Sequence, residues 1–309
     1  MVDIKEIKSI KLAPFTLMSS SVQAILALIA AILMLILFGI IAIFIPEFAV
    51  LQAAITWVGV AFVIVLPISA FFIGLATNFF TAFLYNGLVP RLGGIKLGLD
   101  ASEVTEIPVV SFALIMAAIE AIWAFIIGLF TAAAIAPITA VISAAIPEVA
   151  QALANATNTT GAAMPTGAVV STLGVVGSIM LIIGLPIAVF IIGFIGHALA
   201  ALFYNFIVTR VAKFKLEFEK VSETLHELKS IPILPAALAA GILFAIFGFI
   251  RGLLLLISMS AQGDAVGGFV TLIGSTIIWF IDYFVIVALA AFLYNVLVPR
   301  IGGFKLDLE

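Results

Sequence analysis

Few side chains in the apolar stretches of this chain can ionise, and two of them fall at matching positions. Glu120 lies 13 residues after Ile107, and His197 lies 13 residues before Arg210. At 1.5 Å per helical residue, both lie roughly 20 Å along their helices, so we expect them to contact each other. A carboxylate beside an imidazole can carry a proton, and it can equally pin two helices together as a buried pair.

The corresponding positions in the rest of the chain change together. They are Gln23 and Asn78 near the start of the chain, and Phe244 and Val287 near its end. The pair is therefore amide with amide, acid with base, or apolar with apolar, which predicts a contact in each case. Because one pair is wholly apolar, structural pinning is the main interpretation, and a proton or ion path is the alternative. One His and one carboxylate are too few ligands for a metal site.

Arg251 and Asp282 form a further candidate pair. Arg251 lies 20 residues after Ile231, and Asp282 lies 18 residues before Arg300. These spacings place them at depths of about 30 and 27 Å along two helices. We therefore predict a salt bridge between Arg251 and Asp282.

The elements that hold these side chains are too apolar for a soluble domain. The chain has 309 residues, of which 65% are hydrophobic and 9% charged, whereas about a quarter of residues are charged in soluble domains. Backbone polar groups in lipid need partners within their own segment, so apolar runs of ~20 residues predict transmembrane helices. The sequence predicts an α-helical integral membrane protein with six such helices, from the runs Val22–Ile45, Val58–Leu84, Phe112–Ala136, Val169–Ile207, Leu234–Ile257 and Phe269–Val298.

A similar segment of eighteen residues, the tail, follows every second apolar run. It reads FLYNGLVPRLGGIKLGLD at 83–100, LFYNFIVTRVAKFKLEFE at 202–219 and FLYNVLVPRIGGFKLDLE at 292–309. We therefore divide the chain into three tandem two-helix repeats, residues 1–100, 101–219 and 220–309. Each tail contains a Tyr-Asn pair and an arginine: Tyr85, Asn86, Arg91, Tyr204, Asn205, Arg210, Tyr294, Asn295 and Arg300.

The residues of the tail suggest a position at the membrane surface. Tyr85 is typical of the membrane interface, Pro90 and Pro299 are expected to end their helices, and the three arginines are expected near lipid phosphates. Apolar and polar residues then alternate, which predicts a half-buried strand, with an amphipathic surface helix as the alternative. Partner strands are expected at Ile4–Ile10, Glu103–Val109 and Leu225–Ile233, so three repeats would supply about six strands.

Charge predicts the orientation of the chain. Of its 13 Lys and Arg residues, all but Arg251 lie in the tails or in the segments that open the repeats. Positive charge marks the cytoplasmic side, so both termini and the strands are expected there, in the cell membrane. Residues 137–167 are then expected to form an external loop, in which Asn155 and Asn158 fit the N-x-[ST] pattern of glycosylation.

The tail pattern, after a two-helix hairpin opened by a short strand, resembles the transmembrane domain of unknown function 3566. The resemblance covers the whole chain as three copies and is strongest at Tyr85–Asp100 and Tyr294–Glu309. In the second copy Ala212 and Lys213 replace the Gly-Gly pair, so a different turn is expected there. The resemblance implies a membrane location and a hairpin architecture, but no activity. Three fused copies suggest a closed pseudo-threefold arrangement as a hypothesis.

The sequence favours a protein without enzymatic activity. It has no nucleotide-binding loop, no HExxH motif and no cysteine for thiol chemistry, and no cofactor is expected. The net charge of −3 does not suggest a nucleic-acid partner. The first hypothesis is a scaffold or accessory subunit whose cytoplasmic strands bind a protein partner by edge pairing or charge. The alternative is a pseudo-trimeric channel or transporter for protons or small ions.

Overall fold

A computed structural model describes residues 3–44, 52–157 and 174–309 of the protein. In this part of the chain, six helices are long and apolar enough to cross a membrane: Leu12–Ile41, Val58–Leu92, Val109–Ile135, Gly174–Arg210, Ile233–Ala261 and Ala265–Ile301. The prediction of a helical membrane protein with six long apolar helices is confirmed. The first of them starts ten residues earlier than the apolar run indicated, since polar Thr and Ser side chains are tolerated inside it.

The helices are α1 (Leu12–Phe44), α2 (Gln52–Leu92), α3 (Val109–Thr157), α4 (Leu185–Phe206), α5 (Ile233–Ala261) and α6 (Ala265–Ile301). The strands are β1 (Asp3–Ile10), β2 (Lys96–Asp100), β3 (Glu103–Glu106), β4 (Glu217–Lys220), β5 (Leu225–Ser230) and β6 (Lys305–Leu308). We call α1 with α2 hairpin 1, α3 with α4 hairpin 2, and α5 with α6 hairpin 3.

The chain separates into two compact units. One unit comprises residues 1–115 and 199–309, and it holds all six strands with hairpins 1 and 3. The other unit comprises residues 116–198, which include α3 from Met116 to its end and α4 from its start to Ala198. In this second unit a π-helical turn over Met180–Gly184 ends two residues before Pro186. The proline ring clashes with the carbonyl four residues earlier, so a widened turn is the expected local response.

The prediction of a loop over residues 137–167 is wrong for its first two thirds. Helix α3 continues to Thr157, because the stretch is rich in alanine, the strongest helix former. Asn155 therefore lies in the last turns of a helix and not in a loop. Asn158 and the rest of the predicted loop lie outside the described residues.

The six strands form one antiparallel sheet in the order β3-β2-β1-β6-β5-β4. Its two ends also join each other. The Val104 N–H donates to the Phe214 carbonyl at 2.8 Å, and the Leu216 N–H donates to the Ser102 carbonyl at 2.8 Å, around a bridge between Glu103 and Lys215. The sheet is thus closed on itself, and each strand pairs with the strands before and after it in chain order.

One face of the closed sheet packs on the helix ends. Leu228 and Phe304 contact Met18, Tyr294 and Val298 in one apolar cluster. Val104 with Tyr204, Val208 and Ala239 forms a second cluster, and Leu216 contacts both. The alternating apolar residues of the strands therefore serve as the inner face of the sheet, because burying them on the helix ends removes them from water.

Candidate functional site

The tyrosine of each tail joins the helix end to the sheet. Tyr85 Oη donates to the Ile7 carbonyl at 2.6 Å and accepts from the Ile95 N–H at 2.9 Å. Tyr204 and Tyr294 make the same two bonds, with distances of 2.6 Å for the donated bond and 3.0 and 2.9 Å for the accepted one; their partners are Val104, Phe214, Leu228 and Phe304. All three tyrosines are buried, so the ring of Tyr85 contacts protein and not lipid. Burial of the Tyr85 hydroxyl is tolerated because it forms hydrogen bonds with two backbone groups.

The asparagine that follows holds an isoleucine at the end of the first strand of its repeat. Asn86 Oδ1 accepts from the Ile10 N–H and its Nδ2 donates to the Ile10 carbonyl, both at 2.8 Å. Asn205 does the same with Ile107, and Asn295 with Ile231, at 2.8 to 2.9 Å. Each Tyr-Asn pair therefore replaces the strand pairing that is lost where the chain passes from sheet to helix, and we call it the tail clamp.

A carboxylate completes the clamp in repeats 1 and 3. Glu6 Oε1 accepts from the Gly94 N–H at 2.7 Å, and Glu227 Oε1 accepts from the Gly303 N–H at 2.8 Å. The Gly94 bond, with help from Lys8, lowers the pKa of Glu6 below its usual value. Burial alone would raise the pKa of Glu227, but the bonds from Gly303 and Lys229 outweigh it, and the pKa is lowered.

Repeat 2 uses a different turn, as its Ala-Lys pair predicts. Helix α4 ends at Phe206 and a 3₁₀ turn follows over Val208–Arg210. Glu103 takes the place of Glu6 and Glu227, but it binds the ammonium groups of Lys213 and Lys215, each at 2.9 Å. Hydrogen bonds from Lys215 and Lys213 lower the pKa of Glu103.

In the other two tails glycine, and not proline, ends the helix. Pro90 and Pro299 lie inside the last turn of α2 and α6, so the prediction that they stop the helix is wrong. Gly93 and Gly302 follow with φ of 80° and 81°, a conformation that favours glycine and that breaks the helix directly. Arg91, Arg210 and Arg300 are exposed at these helix ends.

The polar pairs lie between the two helices of their own hairpins. His197 Nε2 and Glu120 Oε1 are 2.8 Å apart, in the contact that their spacing predicts. Asn78 Nδ2 donates to Gln23 Oε1 and to Ser20 Oγ, both at 3.2 Å. Hairpin 2 thus contains an acid with a base, and hairpin 1 a cluster of neutral hydrogen-bonding groups.

Two glycines that leave room for these pairs were not predicted from the sequence. Four residues before Asn78 and before His197 stand Gly74 and Gly193, and a Cβ atom at either would overlap the carbonyl or carboxylate oxygen of Gln23 or Glu120. In hairpin 3 the equivalent residue is Tyr283, and its ring stacks on Phe244 with centroids 3.4 Å apart. Aligning the position four residues earlier, Gly, Gly and Tyr, would have shown that Phe244 meets Tyr283.

The predicted salt bridge between Arg251 and Asp282 is wrong. Both residues are exposed, and their neighbours show that they lie at different depths. A Cβ on Gly252, beside Arg251, would touch Ser275, whereas Tyr283, beside Asp282, stacks on Phe244. Seven residues separate Ser275 from Asp282, which is about 10 Å along the helix.

Among the residues that the structure describes, no three His, Asp or Glu side chains come together as metal ligands. No family model, curated protein or solved structure matches this chain. The three tail clamps and the polar pairs are therefore interpreted from their geometry alone.

Proposed function

We propose that this chain is a non-enzymatic scaffold or accessory subunit of the cell membrane, which presents the outer face of the closed sheet to a protein partner. The observation that carries the proposal is the closure of the sheet over the helix ends. Its inner face is an apolar cluster that includes Leu216, Leu228 and Phe304, which leaves the charged side chains on the other face and at the rim. A surface built this way is suited to binding.

The contacts of the tails support a pseudo-threefold arrangement of the three repeats. The same tyrosine and asparagine hydrogen bonds occur once in each repeat, with donated tyrosine bonds of 2.6 Å in all three. Strand pairing in chain order gives every repeat the same two neighbours around the sheet. The resemblance to the domain of unknown function 3566 belongs to the same proposal, with one copy of that domain per repeat.

Charge, and not edge pairing, is the proposed mode of binding. Closure through Val104 and Leu216 uses the backbone groups that a partner strand would need. Lysines and carboxylates meanwhile form pairs on the sheet, with distances of 2.8 to 3.3 Å, and these pairs remain partly exposed: Lys5–Asp3, Lys8–Glu6, Lys11–Asp307 and Lys229–Glu219. The concentration of Lys and Arg in these segments supports placing the sheet and both termini in the cytoplasm.

Hydrogen bonding within each hairpin favours the scaffold over the channel. Asn78 bonds across hairpin 1, Glu120 contacts His197 across hairpin 2, and Ser275 donates to the Gly248 carbonyl across hairpin 3. These groups satisfy one another inside separate helix pairs, which is what structural pinning requires. The Glu120–His197 contact keeps a proton path as the second candidate.

Charge reversal on the sheet tests the scaffold directly. Lys8→Glu combined with Lys229→Glu changes equivalent positions of repeats 1 and 3, and Arg91→Glu with Arg300→Glu is a control of equal charge at the helix ends. Proteins cross-linked to each variant in native membranes are then quantified by mass spectrometry. A partner that the wild type and the control retain, and that the sheet variant loses, supports the proposal.

Ion flux separates the scaffold from the channel. Liposomes containing the wild type are compared with liposomes containing Glu120→Ala or Asn78→Ala, across a range of voltage and pH. Vesicles that show no proton or ion flux support the scaffold. Proton or ion flux in the wild type that either substitution alters would overturn it in favour of the channel.

A further inference from the structure

A cavity of about 340 Å³ opens beside the tail of repeat 2. One side is polar and consists of Glu103, Lys213 and Lys215. The other side is apolar and includes Val211, Leu234 and Leu238. Lys213 and Lys215 keep 35% and 39% of their side-chain surface exposed, so both ammonium groups remain open to a further ligand.

The cavity arises from the features that distinguish repeat 2. Helix α4 ends at Phe206, whereas α2 and α6 continue to the residue before the first glycine of the tail. The shorter helix leaves room between the 3₁₀ turn of Val208–Arg210 and the start of α5. Lys213 also stands where repeats 1 and 3 have Gly94 and Gly303, so this repeat brings an additional positive charge to that space.

The cavity lies at the level where two membrane-spanning segments end. The span Gly174–Arg210 finishes at its rim, and the span Ile233–Ala261 starts with its apolar lining. Val211 and Leu234 are 71% and 60% exposed, although they adjoin the lysines. An apolar wall on the side of the spans and ammonium groups on the side of the sheet match the two ends of a lipid, and a soluble anion would use only the second.

We propose that this cavity binds an anionic phospholipid, with the phosphate beside Lys213 and Lys215 and the first part of an acyl chain along Leu234 and Leu238. Each ammonium group has three N–H donors, so a lysine can contact the phosphate while it keeps one bond to Glu103. Glu103 then acts as a positioning residue that holds both lysines at the rim. The lipid belongs to the leaflet that the sheet faces.

Lipid binding to the full-length protein in detergent tests the proposal. Native mass spectrometry gives the dissociation constants of phosphatidylglycerol and phosphatidylcholine. The wild type should bind phosphatidylglycerol more tightly than phosphatidylcholine. The double variant Lys213→Ala with Lys215→Ala should lower the affinity for phosphatidylglycerol roughly tenfold. Each lysine near an anionic headgroup contributes about a factor of five to the affinity, and the charge of Glu103 offsets part of this. The control, Lys96→Ala with Lys220→Ala, removes equal charge from the sheet and should leave the affinity unchanged.

A steric variant separates the cavity from the general effect of charge. Leu238→Trp fills the apolar side of the cavity without changing charge, so it should also lower the affinity for phosphatidylglycerol. Leu254→Trp, on the exposed face of the same helix, should leave this affinity unchanged. Equal binding of the two lipids, or an affinity that Leu238→Trp leaves intact, would overturn the proposal. Inorganic phosphate that displaces the lipid at the lipid's own concentration would also overturn it, because the site would then recognise a free anion.

Discussion

Removal of one tail-clamp asparagine should destabilise the protein measurably. Asn295→Ala deletes two hydrogen bonds of 2.8 Å and leaves the N–H and carbonyl of Ile231 without these partners. A partly buried backbone group that loses its partner costs about 1–3 kcal/mol. Some water can reach this site, so we expect the free energy of unfolding to fall by roughly 2–4 kcal/mol. Asn86→Ala and Asn205→Ala break the same two bonds and should have the same effect.

The measurement is equilibrium unfolding in mixed micelles, followed by circular dichroism as SDS replaces a mild detergent. Val296→Ala, on the exposed side of the same helix turn, is the matched control and should change the free energy of unfolding by less than about 0.5 kcal/mol. If Asn295→Ala behaves like this control, the clamp does not stabilise the sheet. An effect in one repeat but not in the others would refute the equivalence of the three clamps.

Three further predictions concern glycines and carboxylates. Gly303→Ala should lower the free energy of unfolding by about 1–3 kcal/mol, because its Cβ would overlap the Leu228 carbonyl. Gly274 lies in open space, so Gly274→Ala should be neutral or stabilising in the same unfolding measurement. The pKa of Glu6 lies below its ordinary 4.5, so the ionised carboxylate stabilises the fold above that pH. This contribution is lost as the pH falls through the lowered pKa. Glu6→Gln should therefore flatten the profile of stability against pH below about pH 4.5. Gly193→Ala should destabilise the wild type but have no effect in the Glu120→Ala background, because its Cβ would overlap the Glu120 carboxylate. A double-mutant cycle measures this difference in the free energy of unfolding. Equal losses in both backgrounds would contradict the close approach of Gly193 to that carboxylate.

The positions of helices and strands follow from local patterns in the sequence. Apolar runs of about 20 residues predict the six long helices, and the alternation around Leu97 or Leu306 predicts strands, because burial on one side imposes the period. The contacts of Ile10, Ile107 and Ile231 with the tail asparagines also agree with the register that aligning the repeats gives. These features depend on residues close in sequence or on repetition within the chain.

Contacts that depend on where two helices cross were harder to predict. Arg251 and Asp282 are near in estimated depth but not in space, because Gly252, beside Arg251, packs against Ser275, which lies seven residues before Asp282. The burial of Tyr85 depends on a carbonyl 78 residues away, which composition cannot reveal. Closure of the sheet through Val104 and Phe214 likewise depends on two residues that are far apart in the chain.

Pairing of β1 with β6 joins two strands that lie at opposite ends of the sheet-forming sequence. Ser9 Oγ donates to Asp307, and Glu6 and Glu309 exchange backbone hydrogen bonds of 2.6 and 3.0 Å. Because all three hairpins lie between these strands in the chain, one edge of β1 stays unpaired until β6 reaches it. An unpaired strand edge is a site of aggregation. Closure of the sheet therefore makes the contact between repeats 1 and 3 the step that protects this edge.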